Sequence, residues 1–362
     1  MGTSPTELVI AGAGLVSPVG LSLAETAAAA RARMARLGES EWLDGQLEPF
    51  IVGRVPDEGL PEPDAALSAE QTSEREVRML QLAHAALDEA LAPLRVAARQ
   101  STATAPLPLL LGLPEHPGAV PIDPATFIAR LARQADGLID ARRSVAAPRG
   151  RAAGLMALNE AAARLLRGDS EFILVGGVDS LLDEALVQRL DIEGRIRNET
   201  TSDGFTPAEG AAFLLLARAE TASARGLKPL AKLLGYAHGF EPGHLYSDEK
   251  YLGEGLAGTL AALLSRSPPP APIATVFCSF NGERYWAREF GVARLRHGKA
   301  FVAEQAMEHP AECFGDIGAA FGPALAALAA HGIRHGYRAG PCLVYASSDR
   351  GERAAALLAR AH

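Results

Sequence analysis

The chain has 362 residues, of which 48% are hydrophobic and 22% charged, with a formal net charge of −8 and a pI of about 5.7. A chain of this length buries a large core, and the composition is that of a soluble globular protein. The acidic balance offers no surface for neutralising phosphates, which argues against a nucleic-acid partner, and no apolar run reaches the ~18 residues a membrane span needs.

The chain opens on Leu8–Ala11, a short apolar strand leading into Gly12-Ala13-Gly14 and a turn with Ser17, Pro18 and Gly20. Ser22, with Glu25 three residues on, marks the start of an alanine-rich helix. Segment 39–70 is acidic, rich in proline and poor in periodicity, and reads as a surface insertion. Glu74–Leu91 carries apolar residues at helical spacing, and Pro93 is expected to bound it. Pro106–Leu113 reads as a buried strand, and Ala152–Arg167 as a small-residue helix closed by Gly168. Phe172–Val175 is a strand ending at Gly176-Gly177, and Ala211–Ala217 is another. The pattern then restarts. Pro229–Gly235 and Ile273–Phe277 read as strands, Leu252–Leu264 and Ala319–Ala330 as helices, Cys342–Ala346 as a strand and Arg350–Arg360 as a terminal helix. Two successive βαβ-rich stretches suggest an α/β chain made of two similar halves, 1–225 and 226–362.

Three cysteines, Cys278, Cys313 and Cys342, are too few and too scattered for a disulfide framework or a CxxC metal site, which fits a reducing compartment. The stretch from Met1 to Leu8 has no basic region followed by an apolar one, so no signal peptide is expected and the expected location is cytoplasmic. Gly12-Ala13-Gly14 between a strand and a helix invites a dinucleotide-binding reading. The fingerprint's third glycine is Ser17 here, however, and Pro18 breaks the helix start, so a structural turn is the better reading. No cofactor is expected. The histidines His84, His331, His335 and His362 sit on a helix or near helix ends, with no metal-ligand spacing.

Three segments carry a more specific signal. They are Val9–Gly20; Arg167-Gly168-Asp169 followed by Phe172–Ser180; and Ser202–Ala212 leading into Phe213–Leu216. In this order and spacing they resemble the β-ketoacyl synthases of the thiolase-like superfamily. The resemblance implies a five-layered αβαβα fold, two pseudo-equivalent halves and a tight dimer. Gly176-Gly177 and Glu209 then read as fold markers, Glu209 being a partly buried carboxylate that takes N–H groups from the surrounding turn.

A condensing synthase needs a cysteine at a helix N-terminus and two basic donors. Counting back from Arg167-Gly168-Asp169 along the helix puts Arg151 in the nucleophile slot, and a guanidinium cannot form an acyl-enzyme. Arg149 and Arg151 at a helix start also oppose its dipole, which points to a contact for them as much as to exposure. The first donor position falls on Asn281, followed by Gly282. The second falls on Asp316, with Ala311 in place of the family's lysine, and a carboxylate there repels a developing oxyanion. The family's glycine-rich C-terminal loop is replaced by Ser347-Ser348-Asp349-Arg350-Gly351. Cys313, with His309 four residues earlier, is an alternative nucleophile, though a structural cysteine is the safer reading. Tyr285-Trp286 either closes over the acyl pocket or covers a core edge.

The expectation is therefore a pseudo-ketosynthase: a non-catalytic accessory, binding, scaffolding or chaperone-like subunit. In one version it is a homodimer, or a partner of a secreted effector in a type VI secretion cluster. In another it pairs with an active ketosynthase as a chain-length factor does. An acyl ligand is compatible with either, and an acyltransferase with an unrecognised nucleophile is the enzyme alternative.

Overall fold

A computed structural model describes residues 6–98 and 105–361; His362 and the first five residues lie outside the described residues. The strands are β1 (Leu8–Val16), β2 (Gly38–Leu43), β3 (Pro49–Val52), β4 (Leu109–Leu113), β5 (Val145–Pro148), β6 (Phe172–Ser180), β7 (Glu209–Arg218), β8 (Ala231–Phe240), β9 (Ile273–Cys278), β10 (Phe301–Glu308), β11 (Cys342–Ser347) and β12 (Glu352–Ala359). The helices are α1 (Leu23–Arg31), α2 (Ala66–Ala69), α3 (Glu74–Ala98), α4 (Pro124–Gln134), α5 (Ala153–Arg167), α6 (Glu184–Ile192), α7 (Ala219–Ala224), α8 (Glu254–Arg266), α9 (Arg284–Arg296), α10 (Ala311–Phe314) and α11 (Phe321–Arg334).

The main sheet runs β10-β9-β11-β12-β8-β1-β7-β6-β4-β5. It is two copies of one pattern. In order β1-β7-β6-β4-β5 the neighbours pair antiparallel, antiparallel, parallel and parallel, and β8-β12-β11-β9-β10 repeats this step for step. The copies join where Leu8–Ile10 pairs with Ala231–Leu233. Helix α5 packs on β6 and β4 of one copy and on β12 and β8 of the other, and α11 likewise touches β7 and β11. These two helices therefore lie between the halves, in a core rich in alanine and leucine. Helices α3 and α4 cover the outer face of the first half, and α8 and α9 that of the second. The result is the expected five-layered αβαβα fold. Strands covered on both faces read as continuous apolar runs, as β1, β6 and β7 do.

Several local expectations are corrected. Gly12 and Gly14 form no turn; they lie inside β1, where α3 crosses so closely that a Cβ would sit 2.4 Å from the Ala90 carbonyl and 1.9 Å from that of Ala86. Pro93 does not bound α3, which continues to Ala98 and forgoes one i→i−4 hydrogen bond at the proline. Strand β6 runs through Gly176-Gly177 to Ser180. The alanine-rich segment after Gly351 is strand β12, not a terminal helix. Wedged between β11 and β8 with both faces buried, it gains two hydrogen-bond ladders that outweigh alanine's helix preference. Segment 39–70 carries the β2–β3 hairpin and the short α2. Glu209 is fully buried and is held chiefly by Arg78 at 2.7 Å, with the distant Val55 N–H at 3.0 Å and the Ser180 hydroxyl at 3.0 Å, not by its own turn.

Candidate functional site

The three positions aligned with the synthase machinery meet in space. Arg151 stands on the turn Gly150–Ala152 that opens α5, and is 4% exposed. Its Nη1 donates to Asp316 Oδ2 at 2.5 Å, its Nε donates to the Ser347 carbonyl at 2.9 Å, and its Nη2 bonds Asp349 Oδ1. Asn281, in the loop after β9, donates from Nδ2 to the same Asp316 oxygen at 2.9 Å. Asp316 follows α10. Its backbone is pinned to Thr206 and Ala208, and its Oδ1 accepts the Gly318 N–H at 2.9 Å. Close packing makes this possible: a Cβ on Gly177 would lie 2.0 Å from the Ala319 carbonyl, so only glycine lets β6 approach the turn after Asp316.

The cluster extends beyond these positions. Asp349, between β11 and β12, faces Arg195 Nη1 at 2.6 Å and His116 Nε2 at 2.7 Å through its second oxygen. Arg195 grips Glu283 in a two-pronged pair at 2.8 Å on each arm. Glu283 also accepts from Asn281 Nδ2 at 3.0 Å and from Trp286 Nε1 at 3.0 Å, and the Arg151 guanidinium lies 4.6 Å from the centre of the Trp286 ring. Trp286 is thus buried under the arginine, while Tyr285 packs on Tyr251 and donates to the Gly243 carbonyl at 2.9 Å. Glu115, in the loop after β4, accepts the N–H groups of Asp349 at 2.9 Å and Arg350 at 3.1 Å.

The electrostatics follow from burial and pairing. Desolvation pulls the Arg151 guanidinium down, but the Asp316 and Asp349 charges outweigh it and hold the group above its ordinary value. Desolvation pushes Asp349 up, and Arg151, Arg195 and His116 reverse this and hold it well below the usual carboxylate range. Glu115 has no such cation on its oxygens. Desolvation, with the Asp349 charge added, pushes its carboxyl up to about 7.

Beside the cluster lies a cavity of about 20 Å³ lined by Glu115, His116, Arg151, Asp179 and Asp349 among others. That holds about one water molecule. Ligand atoms of Glu115, His116 and Asp349 lie within 4.8 Å of one another, a spacing a metal could use. The donor set does not fit one: Asp349 already carries Arg151 and Arg195, whose charges oppose a cation there.

The alternative nucleophile lies elsewhere. Cys313, on α10, is buried in the central core, and desolvation followed by the Glu312 charge pushes its thiol up to about 11. His309 faces Glu312 at 3.6 Å. Cys278 and Cys342 are buried too. Arg149, by contrast with Arg151, is exposed and pairs with Glu352 at 2.7 Å. Asp349, Arg195, Glu283, His116 and Glu115 were not singled out in the sequence. Asp349 alone left a trace, within the loop Ser347-Ser348-Asp349-Arg350-Gly351 that stands in place of a glycine-rich one.

Comparison with known proteins places this geometry. The family model for the β-ketoacyl synthase N-terminal domain matches residues 145–222, a stretch that begins at β5 and contains Arg151. The 6-methylsalicylic acid synthase of Arthrobotrys oligospora is 38% identical over 95 residues, 24% of this chain and 5% of that synthase. The ketosynthase from module 6 of the bacillaene synthase of Bacillus subtilis 168 superposes with a TM-score of 0.81 at 14% identity, over 98% of this chain and 72% of that one. The fold is the ketosynthase fold. The ishigamide ketosynthase/chain length factor gives a TM-score of 0.80 at 16% identity, covering 99% of this chain and 100% of its own. A ketosynthase complex with its type II acyl-carrier protein gives 0.78 at 18%, with 99% and 100% covered. Among the described residues no helix of this ketosynthase-like chain is long and apolar enough to cross a membrane.

Proposed function

We propose that this chain is a non-catalytic, ketosynthase-like subunit whose role is to bind or scaffold another protein. One observation carries the reading: Arg151 occupies the turn that opens α5 and is locked there by Asp316 and Asp349. A guanidinium stays protonated and is no nucleophile, Asp316 opposes the negative charge an acyl transfer develops, and Asn281 shuttles no proton. The adjoining space of about 20 Å³ is too small for an acyl group.

The outer edge of the first half is β5, with Val145 half exposed, which suits a second ketosynthase-like subunit, either a copy of this chain or an active synthase. The similarity over full length to the ishigamide ketosynthase/chain length factor favours the synthase as a second reading. In the accessory version the partner is an effector, as in type VI secretion clusters. The two halves are taken as 1–225 and 226–362.

The test is intact-mass analysis of the purified chain after incubation with malonyl- and acetyl-thioesters. An unchanged mass is expected; an acyl adduct at any side chain overturns the reading. Co-purification with a neighbouring gene's product then separates a synthase partner from an effector.

A further inference from the structure

The β2–β3 hairpin leaves one strand edge uncovered. Strand β2 pairs with β3 through Gly38–Val52, Glu39–Ile51 and Leu43–Pro49. Among the described residues its other edge meets no strand. A groove of about 640 Å³ is lined by residues 38–42 of β2 and by residues 54–58. Alternation along β2 turns Ser40 and Trp42 towards the body, where Trp42 packs beside Phe50 and Val52, and leaves Glu39, Glu41 and Leu43 exposed. The hairpin is therefore anchored from beneath while its edge stays open, and an extended peptide can add to such an edge through main-chain hydrogen bonds.

Charge decides what fits. Segment 39–70 holds nine acidic residues and one basic one. In the groove itself Glu39, Glu41, Asp57 and Glu58 face Arg36 and Arg54, and Arg54 is already 3.6 Å from Asp57. A second copy of this hairpin would set glutamate against glutamate, which disfavours self-pairing. We propose that the β2 edge takes an extended, basic segment of a partner protein as an added third strand. Its apolar side chains would alternate towards Trp42 and Leu182, and its lysines or arginines towards Glu39, Glu41 and Glu58. This rests on the reading of the chain as a binding subunit and names the surface it uses.

The test uses the full chain and a fluorescein-labelled synthetic peptide of alternating lysine and valine, read by anisotropy and by hydrogen–deuterium exchange. Binding at low salt is expected, weakened about tenfold or more at about 0.5 M salt, with slowed exchange at residues 38–43. The double substitution E39K/E41K, on exposed side chains, is expected to weaken it about tenfold while leaving the unfolding midpoint unchanged. Absence of binding, equal binding of a glutamate–valine peptide, indifference to E39K/E41K, or protection elsewhere in the chain overturns the proposal. None of these outcomes touches the binding-subunit reading, which fails instead on an acyl adduct.

Discussion

Arg151 and Asp316 stand 165 residues apart in the chain and 2.5 Å apart in the fold. One lies on the turn opening the central helix of the first half; the other precedes the central helix of the second. The cation and the anion therefore tie the halves together at the point where α5 and α11 begin.

Placing a thiol on the turn that opens α5 is expected to damage the protein rather than create activity. Arg151→Cys leaves Asp316 and Asp349 buried without their shared cation, which costs about 3–5 kcal/mol by the usual penalty for breaking a buried ion pair. Urea unfolding measures the loss, and intact mass after thioester treatment should still show no adduct. A Cys variant as stable as the parent would mean that the network contributes nothing.

Arg151 and Asp316 should be strongly coupled. In a double-mutant cycle with Arg151→Met and Asp316→Leu, the double variant is expected to be more stable than the two single losses add up to, by about 1–3 kcal/mol. Arg151→Met strands Asp316, and Asp316→Leu leaves Arg151 with Asp349 as its sole carboxylate partner; the pair removes both charges, and Asp349 keeps Arg195 and His116. Additive losses would show that the two side chains do not act on each other.

Glu115 predicts a pH slope. Its folded carboxyl is raised to about 7, against 4.5 for the ordinary group, so between these values the folded state holds a proton the unfolded state releases. Stability from this group is therefore complete below about 4.5 and falls as pH rises through about 7, with a slope of at most about 1.4 kcal/mol per pH unit. Asp349 acts oppositely: held well below its usual range, it contributes above about 4 and loses that contribution in stronger acid. Urea midpoints measured from pH 5 to pH 8 should decline in the parent and flatten in Glu115→Gln. Parallel curves would remove Glu115 as the cause.

The thiols should be silent. Desolvation pushes Cys313 to about 11 and Cys278 and Cys342 to about 12, and all three are buried. A thiol reagent at neutral pH is expected to modify none in the native protein within minutes and all three in denaturant. Rapid native modification of Cys313 would revive it as a nucleophile.

Much of the architecture could be read from local pattern, because strands covered on both faces must be apolar throughout. Leu8–Ala11, Phe172–Val175 and Ala211–Ala217 announced themselves in this way, and Ala152–Arg167 with Gly168 carried its own helix and cap. Counting residues back along that helix also pointed to Arg151, since spacing along a regular element converts directly into position, whereas Asn281 and Asp316 came from matching loop motifs. Residues 352–359 misled for the opposite reason. Alanine's preference is weak and local, and a vacancy between β11 and β8 outweighs it.

The sequence by itself determined the apolar strands, helix α5 with its cap and the family resemblance, because these depend on residue type and short-range spacing. Only the tertiary structure decided what gathers around Arg151. Asp349, Arg195, Glu283, His116 and Glu115 come from separate loops, and nothing local marks them as partners. A buried charge is tolerated only where other charges converge on it, and that convergence is created when the two halves close around α5 and α11.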